Sequence, residues 1–457
     1  MTGNRLKTVH RRPLIIAAAV AVVAAMSWPA AAQSTSERIE RLERELRAVK
    51  SELNEMKRGP GERGSTRELE RKVEILAEEI ERLKLGEAAA VADASEWGMG
   101  PAASKIYRTG RGVSVGGYGE MRYQNFASER DDDEPSGKTD EFDFVRAIVY
   151  VGYKFSDKWL FNSEIEFEHA STSKSGSASV EFAYVDYLHR PEFNFRAGML
   201  LLPMGFINEL HEPTTWLGSN RPETERRIIP STWRENGFGV FGSSGPLSYR
   251  TYLVNGLNGE KFDSSGLRGG RQKGSQAKAE DLAWVGRLDY SRPGVLFGGS
   301  LYFGNSGQGV SDDFDVLTTI AEGHVQVDYE GLQVRALAAV ATLDDVAELN
   351  AELGLEGSDS IGESLFGAYF EAGYDVFSRG DFGDASLTPF IRYERINTQD
   401  DVPAGFARSG KRDRDLFTIG VSFQPIDQIV FKADWRNEYN DADTGLDQFN
   451  LSMGYIF

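Results

Sequence analysis

Gln448-Phe449-Asn450-Leu451-Ser452-Met453-Gly454-Tyr455-Ile456-Phe457 is the stretch whose reading decides the fold. Phe449, Leu451, Met453, Tyr455 and Phe457 share one parity, and Gln448, Asn450, Ser452 and Gly454 share the other with Ile456. Successive side chains of an extended strand point to opposite faces. This segment therefore makes a strand with one face suited to lipid and the other largely to water. A soluble sandwich also alternates, so one strand does not separate the two; repetition does.

Upstream the same period recurs near 428–440, 414–424, 385–397, 363–376, 331–342, 316–329, 294–304 and 282–290. It continues near 247–256, 237–243, 192–200, 179–189, 159–170, 142–155 and 113–126. With the last stretch the count is about sixteen, an even number as in bacterial barrels. The connections alternate as well. Turns such as 156–158, 190–191, 291–293, 330–331 and 425–427 are short, whereas 127–141, 257–281, 343–362 and 398–413 are long and polar. Short turns at one rim and long loops at the other are the asymmetry of a membrane barrel. The expected fold is an all-β transmembrane barrel of about sixteen antiparallel strands over 111–457, preceded by an α-helical coiled-coil segment.

Composition is compatible with that reading. Mean hydropathy is −0.40, a soluble-looking value that a barrel reaches because only alternate residues meet lipid. There is no cysteine, so disulfides cannot staple the fold, and a closed hydrogen-bond network can take their place. The formal net charge of −19 argues against nucleic acid as a partner.

The first residues read as an address. Arg5, Lys7, Arg11 and Arg12 precede an apolar stretch from Leu14 to Met26, and Ala30-Ala31-Ala32 follows as a cleavage site. Residues 1–32 are thus expected to be a signal peptide, the apolar stretch being too short to span a bilayer comfortably. Residues 33–85 are charged, with Ile39, Leu42, Leu46, Val49, Leu53 and Met56 at steps of three and four, the seam of a coiled coil. Gly59-Pro60-Gly61 breaks it, and Leu69, Val73, Leu76, Ile80 and Leu83 begin a displaced second run. The seam serves either oligomerisation or a hairpin folded back at the break. Residues 86–110, rich in small residues, read as a linker.

Parity sends charge inward. Asn162, Glu164, Glu166 and Glu168 share a face opposite Phe161, Ile165 and Phe167. Arg122, Arg146, Arg196, Arg250, Arg287, Arg335, Arg392 and Arg436 fall on the water-facing side, and are the expected pore-lining residues, with Lys432 and acids such as Glu120, Asp289, Glu371 and Asp434 among them. Facing lipid these charges would be costly, so their register implies a wet interior.

The connection 201–236 stands apart: LLPMGFINELHEPTTWLGSNRPETERRIIPSTWREN is dense in Pro, Trp, Arg and Glu, and a long loop carrying its own apolar residues packs. Its Pro203-Met204-Gly205, Asn208-Glu209, His211-Glu212-Pro213, Arg221-Pro222 and Ile228-Ile229-Pro230-Ser231-Thr232-Trp233, with Glu235 and Gly237, resemble the phosphate-selective porin O and P family. Gly116-Gly117-Tyr118-Gly119-Glu120 is also like that family, and the likeness covers about 113–457. The resemblance implies an outer-membrane porin of a Gram-negative bacterium. It implies a homotrimer with the coiled coil in the periplasm and an inward-folded third loop at the constriction. Arg221, Arg226, Arg227 and Arg234 would then lie near the narrow zone with His211.

The resulting expectation is a passive channel for small hydrophilic solutes, anions such as phosphate ahead of cations, in contact with lipid and lipopolysaccharide. The loop sets Glu209, Glu212, Glu223, Glu225 and Glu235 against its four arginines, so net charge alone does not choose the sign. A carbohydrate- or siderophore-selective porin is the alternative, with Trp216 and Trp233 as an aromatic slide if they face the pore. An envelope tether is another. A barrel enzyme is disfavoured. There is no Gly-x-Ser-x-Gly or His-Glu-x-x-His motif, and Gly237-Phe238-Gly239-Val240-Phe241-Gly242 lies in a strand-like stretch rather than before a helix. No cofactor is expected. His169, His189, His211 and His324 are scattered, so a metal or catalytic cluster would need the fold to gather them. Asp131-Asp132-Asp133-Glu134 reads as a solvated loop, or as oxygen ligands for a cation.

Overall fold

The computed structural model describes residues 95–170, 176–311 and 313–457, with 41, 42, 44–51, 53, 71–73 and 75–77. The chain divides into two units, Met1–Glu87 and Ala88–Phe457. The expected signal peptide, the Gly59-Pro60-Gly61 break and residues 86–94 lie outside the described residues. So does much of the coiled-coil seam. In the first unit, the described residues of 41–53 and 71–77 are helical.

The second unit is a closed sixteen-stranded antiparallel barrel. Its strands are β1 Gly112–Phe126, β2 Glu141–Lys154, β3 Trp159–Glu168, β4 Ala178–Arg190, β5 Phe193–Leu201, β6 Arg234–Ser244, β7 Leu247–Asn255 and β8 Leu282–Arg292. They continue as β9 Val295–Asn305, β10 Leu317–Tyr329, β11 Leu332–Leu343, β12 Ser364–Tyr374, β13 Ser386–Asp401, β14 Asp413–Ile426, β15 Ile429–Asn440 and β16 Gln448–Ile456. β1 closes the ring by pairing with β2 on one side (Tyr118 opposite Ile148) and β16 on the other (Tyr118 opposite Ile456). Closure leaves no sheet edge, so every strand's backbone groups find partners without water. Among the described residues of this unit, three short α-helices lie outside the sheet: α1 Lys105–Arg108, α2 Glu223–Arg227 and α3 Val346–Glu352.

The two faces of the barrel are those that alternation assigns. In β16, Gln448, Asn450, Ser452, Gly454 and Ile456 are buried, and the intervening Phe449, Leu451, Met453 and Tyr455 are not. Phe142, Trp159, Phe167, Phe238, Trp284, Phe370, Tyr393 and Trp435 project outward and exposed, a surface suited to lipid. Inside, Glu164, Asp186, Glu235, Asn450 and Gln399 are wholly buried. The glycine-rich 237–242 stretch sits within β6. There Gly237 and Gly239 face the carbonyls of Leu253 and Thr251 on β7, too close for a side chain to intervene.

Two segments fill part of the lumen. The third long connection, 202–233, turns inward: Leu202, Met204, Ile228, Ile229 and Trp233 have no exposed surface. Of the stretch 86–110, expected as a linker, the described part 95–110 packs in its middle against the barrel interior. Met99, Ala102, Ala103 and Ile106 are buried, Ile106 lying against Gly152 of β2. Lys154 Nζ donates to the carbonyls of Tyr107 (3.0 Å) and Thr109 (2.9 Å), tying down the C-terminal end of α1. Small residues suit this role because the segment passes close to the wall, and a composition rich in Ala, Gly and Ser is equally that of a linker.

Candidate functional site

The inward loop crosses from β5 and β6 to the far wall. Hydrogen bonds fasten it there. Arg335 donates to the Thr215 carbonyl (2.7 Å), Lys432 to that of Trp216 (2.7 Å), and Arg392 to that of Asn220 (3.0 Å). Ser219 N–H donates to the Asp434 carboxylate (2.7 Å) and Thr224 N–H to that of Glu394 (3.2 Å). The wall residues belong to β11, β13 and β15, so the loop divides the interior. Its first half lies with 95–110 against β1–β10. The space left beside it is lined by β8–β11 and β13–β15.

That space has two ends and a waist. Toward the short turns it opens into a cavity of about 470 Å³ lined by Thr215, Trp216, Gln326, Asp328, Arg335 and Gln424, among others. The waist lies among Gly218, Asn220, Arg221, Arg392, Glu394, Thr418, Asp434 and Arg436. Toward the long loops, Arg227, Arg412 and Arg414 surround a depression with Ser265, Ile396 and Thr398.

The charges at the long-loop end are mostly positive. α2 presents Glu223 to Arg226 (3.0 Å) and Arg227 (3.2 Å), and Arg414 of β14 reaches the same carboxylate (3.2 Å). Burial favours the neutral acid, but Arg226, Arg414, Arg436 and Arg227 outweigh it and hold Glu223 well below the usual carboxylate range. Arg414 and Arg436 also share Glu438, at 2.9 and 3.2 Å. Arg268, from the connection 256–281, has a buried Nη1 with no hydrogen-bond partner. Burial first, then the like charges of Arg271, Arg226, Arg221 and Arg227, depress its pKa to about 8. Since a guanidinium holds its proton tenaciously, this marks a cation in want of an anion.

The thirteen residues expected at the site separate into groups. Arg221, Arg227, Arg335, Arg392 and Arg436 line the spaces just described, and Arg226 is exposed beside them. Arg221 lies over the Trp216 ring at 5.5 Å, and Arg122 donates to Asn220 of the loop (2.8 Å). Arg146, half-buried, faces Glu120 at 3.4 Å. The others face inward but are enclosed in ion pairs. Arg196 is held by Asp186 (2.8 Å) and the Tyr107 hydroxyl (2.6 Å), beneath the 95–110 segment. Arg250 bonds Asp289 (2.8 Å) and faces Glu209 (3.2 Å), while Arg287 also takes Asp289 (2.8 Å). Arg234 bonds Glu181 (2.8 Å), and His211 lies behind the loop between Glu164 and Glu181. Arg268, Arg271, Arg412 and Arg414 are absent from the sequence reading. All but Arg414 come from stretches taken as outward polar loops, and their arginines were the available signal.

A protein of Aquifex aeolicus (strain VF5), bearing the name "Uncharacterized protein", is 37% identical over 374 residues, which is 79% of this chain and 83% of that relative. The chain belongs to that protein's family. No family model matches it. Among solved structures, it is similar to OmpF of Salmonella typhi in complex with daunomycin, with a TM-score of 0.50 and 14% identity over 77% of this chain and 99% of OmpF. An anion-selective porin from Comamonas acidovorans aligns with a TM-score of 0.46 and 8% identity, over 76% of this chain and 99% of that one. The fold is that of outer-membrane porins.

Proposed function

We propose that the chain is a passive diffusion channel of the Gram-negative outer membrane, trimeric, with its 33–85 helices in the periplasm. Its solutes are small and hydrophilic, anions ahead of cations, with phosphate and other oxyanions the best chemical fit. One observation carries the preference: half-buried Arg268, its Nη1 enclosed without a hydrogen-bond partner, lies among Arg271, Arg226, Arg221 and Arg227. An entering oxyanion meets forked donors matched to its oxygens. It can then pass to Arg221 and to Arg414, Arg436 and Arg392, the last three already paired with a carboxylate and so binding weakly enough to release.

A sugar-selective pore would need an aromatic surface. Trp233 has none exposed and Trp216 is 4% exposed, lying beneath Arg221 and Lys432. Single-channel recording in planar bilayers tests the proposal. Reversal potentials in a salt gradient should report anion preference, phosphate should block chloride current, and replacing Arg226 and Arg227 by Ala should weaken both effects. Cation preference without phosphate block would refute the assignment of the solute.

A further inference from the structure

We infer that Glu164, Glu181 and His211 form a buried site for a divalent transition-metal ion of the Zn²⁺ class, riveting the inward loop to the barrel wall. The three donor atoms lie within 4.8 Å of one another, and the residues are 0%, 1% and 2% exposed. His211 Nδ1 is 2.9 Å from the Asn208 carbonyl. A carbonyl only accepts, so Nδ1 carries the hydrogen, and in the neutral ring Nε2 is left with its lone pair. That lone pair faces Glu164 at 3.1 Å and Glu181 at 3.3 Å. Three acceptors thus converge on one point. A proton on Nε2 would serve Glu164 but not both carboxylates, and Glu181 Oε2 has no hydrogen-bond partner. An ion bound at about 2.0–2.2 Å in tetrahedral geometry would set its ligand atoms about 3.3 Å apart, matching the two separations.

The surroundings are also those of a ligand set. Asn208 orients the imidazole, and Arg234 (2.8 Å) and the Thr232 hydroxyl (3.1 Å) hold the other oxygen of Glu181, the role outer-shell partners play around metals. Tyr118, 1% exposed, stands edge-on to His211 with ring centroids 6.1 Å apart, its hydroxyl unpartnered. A β-bulge creates the placement. Glu164 pairs with Phe182 and Ile165 with Val180, so Glu181 is the extra residue. The bulge turns Glu181 and Phe182, neighbours in sequence, both into the interior.

The test uses the full chain purified in detergent, stripped with a chelator and reloaded with Zn²⁺ or Co²⁺. Wild type should retain a single ion per chain after desalting, show the visible bands of four-coordinate Co²⁺, and gain thermal stability. His211→Ala and Glu181→Gln should lose the ion while keeping the electrophoretic mobility of a folded barrel. Retention by wild type no greater than by His211→Ala would overturn the inference. So would a wild-type Co²⁺ spectrum without those bands, which decides the matter even if a variant fails to fold.

Discussion

Glu223→Gln isolates the carboxylate at the centre of the arginine cluster. Its oxygens lie 3.0 Å from Arg226, 3.2 Å from Arg227 and Arg414, and 3.9 Å from Arg436, so the near-isosteric change removes one negative charge from among four positive ones. A unit charge about 6 Å from a passing ion, at an effective dielectric of about 40, acts with about 1.4 kcal/mol, or roughly tenfold in local concentration. The variant should therefore favour anions over cations more strongly than wild type, by up to about tenfold for each sign at low salt. The gain should shrink near 1 M salt, where the screening length falls to about 3 Å. Arg414 and Arg436 keep Glu438, so the cluster is not wholly abandoned. The assay is the zero-current potential across a bilayer under a KCl gradient. Because the folded carboxyl is held well below its ordinary value, its charge and its contribution to stability persist above the ordinary carboxylate range and are lost only as pH falls through the depressed value. Wild-type potentials should thus be flat from pH 7 to about 5 with respect to this group. An unchanged potential in the folded variant would place Glu223 off the ion path and refute the electrostatic reasoning.

Arg268→Ala removes a half-buried, incompletely bonded cation, so it should leave thermal stability unchanged or slightly raised while lowering anion preference; calorimetry and bilayer recording read the two effects separately. Asp434→Ala frees the Ser219 N–H from its 2.7 Å bond, and conductance should become larger and noisier; an unaltered trace would mean that the remaining bonds suffice to hold the loop. Trp233→Ala empties a site with no exposed surface beside Tyr302 and should cost about 3–5 kcal/mol, seen as a lower unfolding midpoint. Ile106→Asp puts a charge against Gly152 and should expel the 95–110 segment, making it newly sensitive to protease in the folded barrel.

Strand count, strand positions and the two faces of the wall were legible in the sequence because alternation is a local property with period two. Even a single strand such as 448–456 displays it. The inward parity of Arg196, Arg250, Arg287 and Arg392 was legible for the same reason. Their partners were not. Arg196 meets Asp186 from the neighbouring strand and Tyr107 from a segment 89 residues away, and Arg250 meets Glu209 of the loop. Which arginines stay near open space depends on where 202–233 and 95–110 come to rest, and that is settled by contacts across the lumen that leave no periodic trace. The same holds for the gathering of His211 with Glu164 and Glu181. By parity along β4, Glu181 and Phe182 should face opposite sides; a one-residue bulge, favoured only once the neighbouring strands and loop are in place, turns both inward. Sequence alone thus determined the barrel and the polarity of its two surfaces, because those follow from residue spacing. Only tertiary structure decided which charges neutralise one another and which remain for a solute, because ion pairing depends on distance in space.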